Sequence, residues 1–257
     1  MVNNRLKKIF AEGGTALGTF VVSNAPDLVE IVGLTGFDFV IVDNEHGPLG
    51  HESSQHLIRT AELRGITPIV RIPNYMESTI LHTLDIGAHG IQVPQVNDPE
   101  IARTIISYSK YHPLGRRGVA LPRSADYGLS MDISKYFEHE NSQTTVVIHC
   151  ENTMCLENLD AICQIPGIDV VFFGPYDMSQ SMGIPGQITH PRIQEAARKV
   201  VETTKKYGKV AGTFTGNGAI AKERAAEGFR YIAIGVDTFL YAAKCKQEIA
   251  AFRGEGV

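Results

Sequence analysis

The chain has 257 residues, 43% of them hydrophobic and 20% charged, with a formal net charge of −4. That length suits one barrel-type α/β domain with a large core, so a single domain over 1–257 is expected. Mild acidity and short, scattered basic pairs (Lys7–Lys8, Arg116–Arg117, Lys205–Lys206) exclude the basic stripe that a nucleic-acid partner requires.

No apolar run approaches the ~20 residues of a membrane helix, and MVNNRLKKIFAEGG lacks the apolar core and cleavage site of a secretory leader. Cys150, Cys155, Cys163 and Cys245 show no CxxC spacing, so reduced thiols in a cytoplasmic enzyme are the simplest account. In chain order, strands are predicted at 16–22, 37–43, 67–73, 89–96, 144–151, 169–175, 209–214 and 231–237. Most are nearly continuous apolar runs such as FDFVIVD and DVVFFGP, the pattern of a parallel sheet covered on both faces. Helices are predicted at 26–35, 51–64, 76–87, 98–111, 153–164, 191–207, 217–227 and 238–253. Glycine closes several helices just before a strand, at Gly36, Gly65, Gly87, Gly167 and Gly228. Eight strand–helix units without a linker predict a (β/α)8 barrel. No GxGxxG follows the first strand to favour an open dinucleotide-binding sheet. Only 112–143 reads as a long irregular stretch.

In such a barrel the chemistry sits at the C-terminal ends of strands. Those ends carry Asp43, Glu45 and His46, then Arg71, His149 and Glu151, Asp177, and Asp237. Glu151 and Asp177 close adjacent strands, and two converging carboxylates suit a hard divalent ion such as Mg²⁺ or Mn²⁺. The bland alternative is that Glu151 caps the helix starting at Asn152–Thr153 and Asp177 pairs with a surface cation. Arg71 offers a planar fork for a carboxylate or enolate oxygen, or else a structural salt bridge. His46, in DNEHGP, is a candidate general base. No lysine falls at a strand C-terminus, so a Schiff base has no donor and a stabilised carbanion needs a metal. TGNGAIAK (215–222) with GVDT (235–238) either binds phosphate through backbone amides or simply turns the chain into a helix.

FDFVIVDNEHGP, VRIP, LDIGAHGIQVPQV, YHPLGRRGV, CENTMCLENLDAICQIPGIDVVFFGPYDMSQSMG and IGVDT resemble, over nearly the whole chain, the HpcH/HpaI family of metal-dependent class II pyruvate aldolases. That family includes 4-hydroxy-2-oxo-heptanedioate, 2-dehydro-3-deoxyglucarate and 2-keto-3-deoxyrhamnonate aldolases. The resemblance implies a barrel of the phosphoenolpyruvate/pyruvate type, its last helix swapped between subunits of a homohexamer built as a trimer of dimers. It implies Glu151 and Asp177 as ligands of a divalent ion (Mg²⁺, Mn²⁺ or Co²⁺), His46 as acid–base residue and Arg71 as enolate stabiliser. Asp85, in LDIG, matches the acid that raises the basicity of the histidine. Gly174, Pro175 and Tyr176 match a substrate-binding backbone.

Two departures stand out: His149 where close relatives have Gln, and Tyr176 where many have Ala. On a strand, i and i+2 share a face, so His149 is expected to point into the site beside Glu151 and to bind substrate. The implied reaction is reversible cleavage of a 4-hydroxy-2-keto acid to pyruvate and an aldehyde through a metal-stabilised pyruvate enolate. The rival readings are a lyase or decarboxylase acting on oxaloacetate or a malyl-type thioester, and a catalytically silent scaffold.

Overall fold

The strands are apolar runs because both of their faces are covered, from inside by barrel side chains and from outside by helices. A computed structural model describes residues 3–130 and 132–254; residues 1, 2, 131 and 255–257 of the expected domain lie outside the described residues. Eight parallel strands close into a barrel in sequence order: β1 (Ala16–Val21), β2 (Phe39–Asp43), β3 (Thr67–Arg71), β4 (Gly90–Val93), β5 (Thr145–Cys150), β6 (Val170–Phe173), β7 (Val210–Thr215) and β8 (Tyr231–Val236). β8 pairs back onto β1, with Ala16 opposite Tyr231, which seals the cylinder. The fold is a (β/α)8 TIM barrel.

The helices are α1 (Arg5–Ala11), α2 (Pro26–Leu34), α3 (His51–Leu63), α4 (Glu77–Asp85), α5 (Pro99–Ser109), α6 (Ile133–Gln143), α7 (Thr153–Cys163), α8 (Pro175–Ser181), α9 (Pro191–Lys206), α10 (Gly218–Glu227) and α11 (Asp237–Arg253). Side-chain caps start several of them: Asp98 accepts from the amides of Glu100 and Ile101, and Asn152 accepts from that of Cys155. The five glycines that close helices all have φ between 69° and 111°. At Gly228 this left-handed turn is the C-cap of α10 and lets the chain reverse directly into β8.

Four elements were not predicted. α1 lies before β1 and tucks Leu6, fully buried, against the apolar residues inside the barrel. α8 is a short extra helix after β6. The stretch 112–143, read as irregular, contains a 3-10 turn at Arg123–Gly128 and α6. It is pinned from within. Tyr111, Tyr136 and Phe137 cluster, and the buried Lys110 amine donates to the carbonyls of Asn141 and Thr144. Burial pushes that amine down to about 8, and a neutral amine still has two protons for its two carbonyls.

Inside the barrel the packing is aromatic. The rings of Phe39 and Tyr231 stack at 4.2 Å, and Phe172 meets Tyr231 edge-on at 6.0 Å. Glycines make the space: a Cβ on Gly18 would fall 2.3 Å from the Phe39 ring, and one on Gly212 would crowd both Tyr231 and Phe172.

α11 is different from the other helices. It contacts β1 and β8, but only Asp237 in it is buried, and Phe239, Tyr241 and Phe252 are 67%, 71% and 91% exposed. Among the described residues no helix is long and apolar enough to cross a membrane.

Candidate active site

β2 ends in Asp43, which is buried to 1% exposure and organises the rim beside it. Its Oδ1 accepts from the amides of Glu45 (3.1 Å) and His46 (3.2 Å), which folds DNEH into a tight turn and sets His46, exposed, at the mouth. The next strand ends in Arg71, whose Nε and Nη2 donate to the two Asp43 oxygens at 2.9 and 2.5 Å. Arg71 Nη1 lies 3.3 Å from Glu45, and the guanidinium sits over the Phe20 ring at 4.8 Å. Burial alone would raise the Asp43 carboxyl, but the Arg71 hydrogen bond and charge with the two turn amides hold it below its ordinary 3.8. Burial pushes the Glu45 carboxyl up from 4.5 in spite of Arg71.

Glu151 follows β5 and is 4% exposed. Each oxygen has one donor: the Gln95 amide reaches Oε1 at 2.8 Å, and His149 Nδ1 reaches Oε2 at 2.7 Å. Burial opposes its charge, yet His149, the Gln95 amide and Arg71 together hold it below 4.5. Helix α7 is capped by Asn152, not by Glu151, which removes the capping alternative. Asp177 lies in the first turn of α8 and is exposed. The two carboxylates meet over Gly174: a side chain there would place its Cβ 3.1 Å from Glu151 Oε2 and 3.8 Å from Asp177 Oδ2.

This space belongs to a cavity of about 180 Å³ lined by His46, Arg71, His149, Glu151, Tyr176 and Asp177, with Gly174 and Pro175 also on its wall. It is smaller than most ligand pockets, so it suits only a compact molecule. Two oxygen donors bordering a gap kept open by a glycine fit a hard divalent cation. Among the described residues no three of His, Cys, Asp and Glu gather as a closed cage. An ion here would therefore have two protein ligands and keep its other positions for water and substrate.

Other expectations separate from this cluster. Asp85 is the last residue of α4, which runs back from the β3 rim, so it lies at the opposite end of the barrel, paired with Arg117 at 2.7 Å. Within one protomer it does not meet His46. Asp237 accepts from the amides of Val22, Ser23 and Thr238, tying α11 to the end of β1. Asn217 caps α10 through the Ile220 amide, so TGNGAIAK makes a turn into a helix. The sequence reading gave no task to Asp43, Gln92, Gln95 or Tyr231. Only Asp43 carried a signal, its place in the DNEH run.

The HpcH/HpaI aldolase/citrate lyase family pattern matches residues 16–243. The chain belongs to this family. The 2-keto-3-deoxy-L-rhamnonate aldolase of Salmonella gallinarum (strain 287/91 / NCTC 13346) is 32% identical over 255 residues, covering 98% of this chain and 94% of the relative. Among solved structures, the HpcH/HpaI aldolase from Desulfitobacterium hafniense DCB-2 superposes with a TM-score of 0.89 at 31% identity, covering 95% of this chain and 96% of the other. Citrate synthase SbnG superposes with the same TM-score at 28% identity, covering 97% and 98%. The HpcH/HpaI chain described here is thus an aldolase-type carbon–carbon lyase.

Proposed function

We propose that this family member is a divalent-metal-dependent aldolase, one barrel domain over 1–257, that reversibly cleaves a 4-hydroxy-2-keto acid to pyruvate and an aldehyde. The observation that carries the reading is the convergence of Glu151 and Asp177 on the space over Gly174, in one cavity with Arg71 and His46. Glu151 and Asp177 would hold Mg²⁺, Mn²⁺ or Co²⁺. When bound, the ion supplies a Lewis acid for the keto oxygen of the substrate.

The chain's own groups do the rest. The backbone of Gly174, Pro175 and Tyr176, with the ring of His149, walls the pyruvate end of the substrate. His46, held at the mouth by the Asp43 turn, takes the proton from the 4-hydroxyl. The C3–C4 bond then breaks: its electron pair passes to C3 and C2 as the enolate of pyruvate, and the former hydroxyl carbon leaves as the aldehyde. Arg71 faces the charge that builds on the C2 oxygen. Its Nε and Nη2 are engaged with Asp43, which fixes the plane of the guanidinium, and Nη1 carries two protons, so its approach to Glu45 at 3.3 Å leaves one for the substrate. The enolate then takes up a proton at C3 from solvent at the mouth to give pyruvate, and His46 gives up the hydroxyl proton to solvent; in the reverse direction His46 returns a proton to the new alkoxide. Asp85 fits the resemblance only if a second protomer brings its opposite rim to this mouth, and the exposed apolar side chains spread around α11 support such an assembly through a swapped last helix, as a hexamer. Free Cys150, Cys155, Cys163 and Cys245 support a cytoplasmic setting.

The test uses pyruvate alone. Cleavage releases the enolate, so the reverse path must form it from pyruvate in the same site. Metal-loaded enzyme in D₂O should exchange the methyl protons of pyruvate, followed by NMR, and Arg71→Ala should not. A fully loaded enzyme that leaves pyruvate unexchanged would overturn the aldolase reading. The likeness to citrate synthase SbnG favours a second reading, a related lyase or decarboxylase acting on oxaloacetate or a malyl-type thioester. A thioester enzyme would enolise its acyl thioester while leaving free pyruvate untouched, and an oxaloacetate decarboxylase would exchange pyruvate but also release CO₂ from oxaloacetate.

A further inference from the structure

Below Glu151 the barrel interior holds a chain of polar side chains, of which only His149 borders the cavity. Tyr231 Oη donates to Gln92 Oε1 at 3.0 Å, Gln92 Nε2 meets His149 Nε2 at 2.7 Å, and His149 Nδ1 meets Glu151 Oε2 at 2.7 Å. Tyr231 and Gln92 are fully buried and His149 is 2% exposed. Polar groups in a dry barrel cost free energy unless each finds a partner, and aliphatic residues would fill the same volume more cheaply. Here every link has one.

The direction of donation is set from the far end. Because the Gln92 carbonyl accepts from Tyr231, its amide N–H faces His149, which must accept at Nε2. The His149 proton therefore sits on Nδ1 and is given to Glu151. The reverse arrangement would set a ring lone pair against the carboxylate. Ring stacking holds the parts in plane: His149 on Phe172 at 4.9 Å, and Tyr231 on Phe39 at 4.2 Å. Both nitrogens of His149 are thus committed, one to Gln92 and one to Glu151. With the Gln95 amide on Oε1, the carboxylate of Glu151 is fixed in its rotation.

We propose that Tyr231 and Gln92 are positioning residues which, through His149, orient Glu151 toward a divalent cation. This rests on the metal-site reading above. The experiment is Mn²⁺ titration of the intact enzyme, followed by the EPR signal of free Mn²⁺. Tyr231→Phe deletes only the hydroxyl and should weaken Mn²⁺ binding about tenfold, in the range found for outer partners of metal ligands. Gln92→Met breaks the chain one link nearer and should weaken it at least as much. In a His149→Phe background, which can neither accept from Gln92 nor donate to Glu151, Tyr231→Phe should cost nothing further, which a packing effect of the lost hydroxyl would not reproduce. Asp177→Asn should abolish tight binding. If it binds Mn²⁺ like wild type, the metal reading falls and the relay with it. If Asp177→Asn loses binding while Tyr231→Phe and Gln92→Met keep it, the relay alone is overturned. An equal Tyr231→Phe loss with and without His149 overturns it as well.

Discussion

Arg71 and Asp43 form a two-pronged ion pair between the ends of neighbouring strands, Nε to Oδ1 at 2.9 Å and Nη2 to Oδ2 at 2.5 Å. Asp43 Oδ1 also holds the turn that carries His46, so one carboxylate aligns both the Arg71 guanidinium and His46.

Arg71→Lys should therefore fail to substitute. A lysine cannot keep two prongs on Asp43 and present a further donor to substrate. The expected loss in kcat is about 3 kcal/mol, or roughly two decades, as for other donors aimed at developing charge. Steady-state kinetics on any accepted hydroxy keto acid measures it, and a near-normal kcat would make Arg71 structural.

The pair also has a pH signature. The Asp43 carboxyl is held below 3.8 in the folded protein, so it contributes stability that is present above that value and lost as pH falls through the folded one. Urea unfolding of wild type and Asp43→Asn should differ at neutral pH, and the gap should close on acidification below the ordinary 3.8. A gap that widens in acid would contradict the assigned direction.

Chelation should silence the enzyme. EDTA should abolish turnover and Mg²⁺ or Mn²⁺ should restore it, while Glu151→Gln and Asp177→Ala should be inactive at any metal concentration yet melt as folded proteins. Full turnover after exhaustive chelation would remove the ion from the chemistry.

Asp85 and His46 lie at opposite ends of one barrel, so any cooperation between them crosses a subunit boundary. Asp85→Asn and His46→Ala should each be damaging and their combination clearly less than additive. Mixing the two single variants should restore part of the activity, through sites that take one good residue from each chain. Additive losses without restoration would separate the two residues.

α11 should be the assembly element. Phe239→Asp with Phe252→Asp should shift the protein to smaller species in sedimentation velocity and lower activity in parallel. A variant that stays assembled would place the interface elsewhere. The two rings are 67% and 91% exposed on an isolated protomer, so the substitutions cost it little packing.

Much of this was legible in the sequence, for a physical reason. A strand covered on both faces must be apolar throughout, so VVFF and FVIV announce themselves, and a charge just past such a run stands at a rim. Glu151, Asp177, Arg71 and His46 were found that way, and the structure gathers them around one cavity. α1 and α6 escaped because each buries a single side chain, Leu6 and Tyr136, on an otherwise polar or half-exposed surface, and neither sits in the strand–helix alternation that announced the others. Gln92 and Tyr231 escaped because their partners lie 57 and 139 residues away, across the barrel. Asp85 drew notice only through resemblance, since its neighbour Arg117 comes from the stretch read as irregular.

Phe39, Tyr231 and Phe172 stopper the barrel beneath the site, with Leu6 of α1 behind them. A flat enolate resting at the mouth thus has one side against protein and the other toward the entrance. Water, aldehyde and proton would all arrive from that entrance; because C3 of a pyruvate enolate becomes a plain methylene, the handedness of the new hydroxyl-bearing carbon would be decided by which face the aldehyde turns inward as it enters.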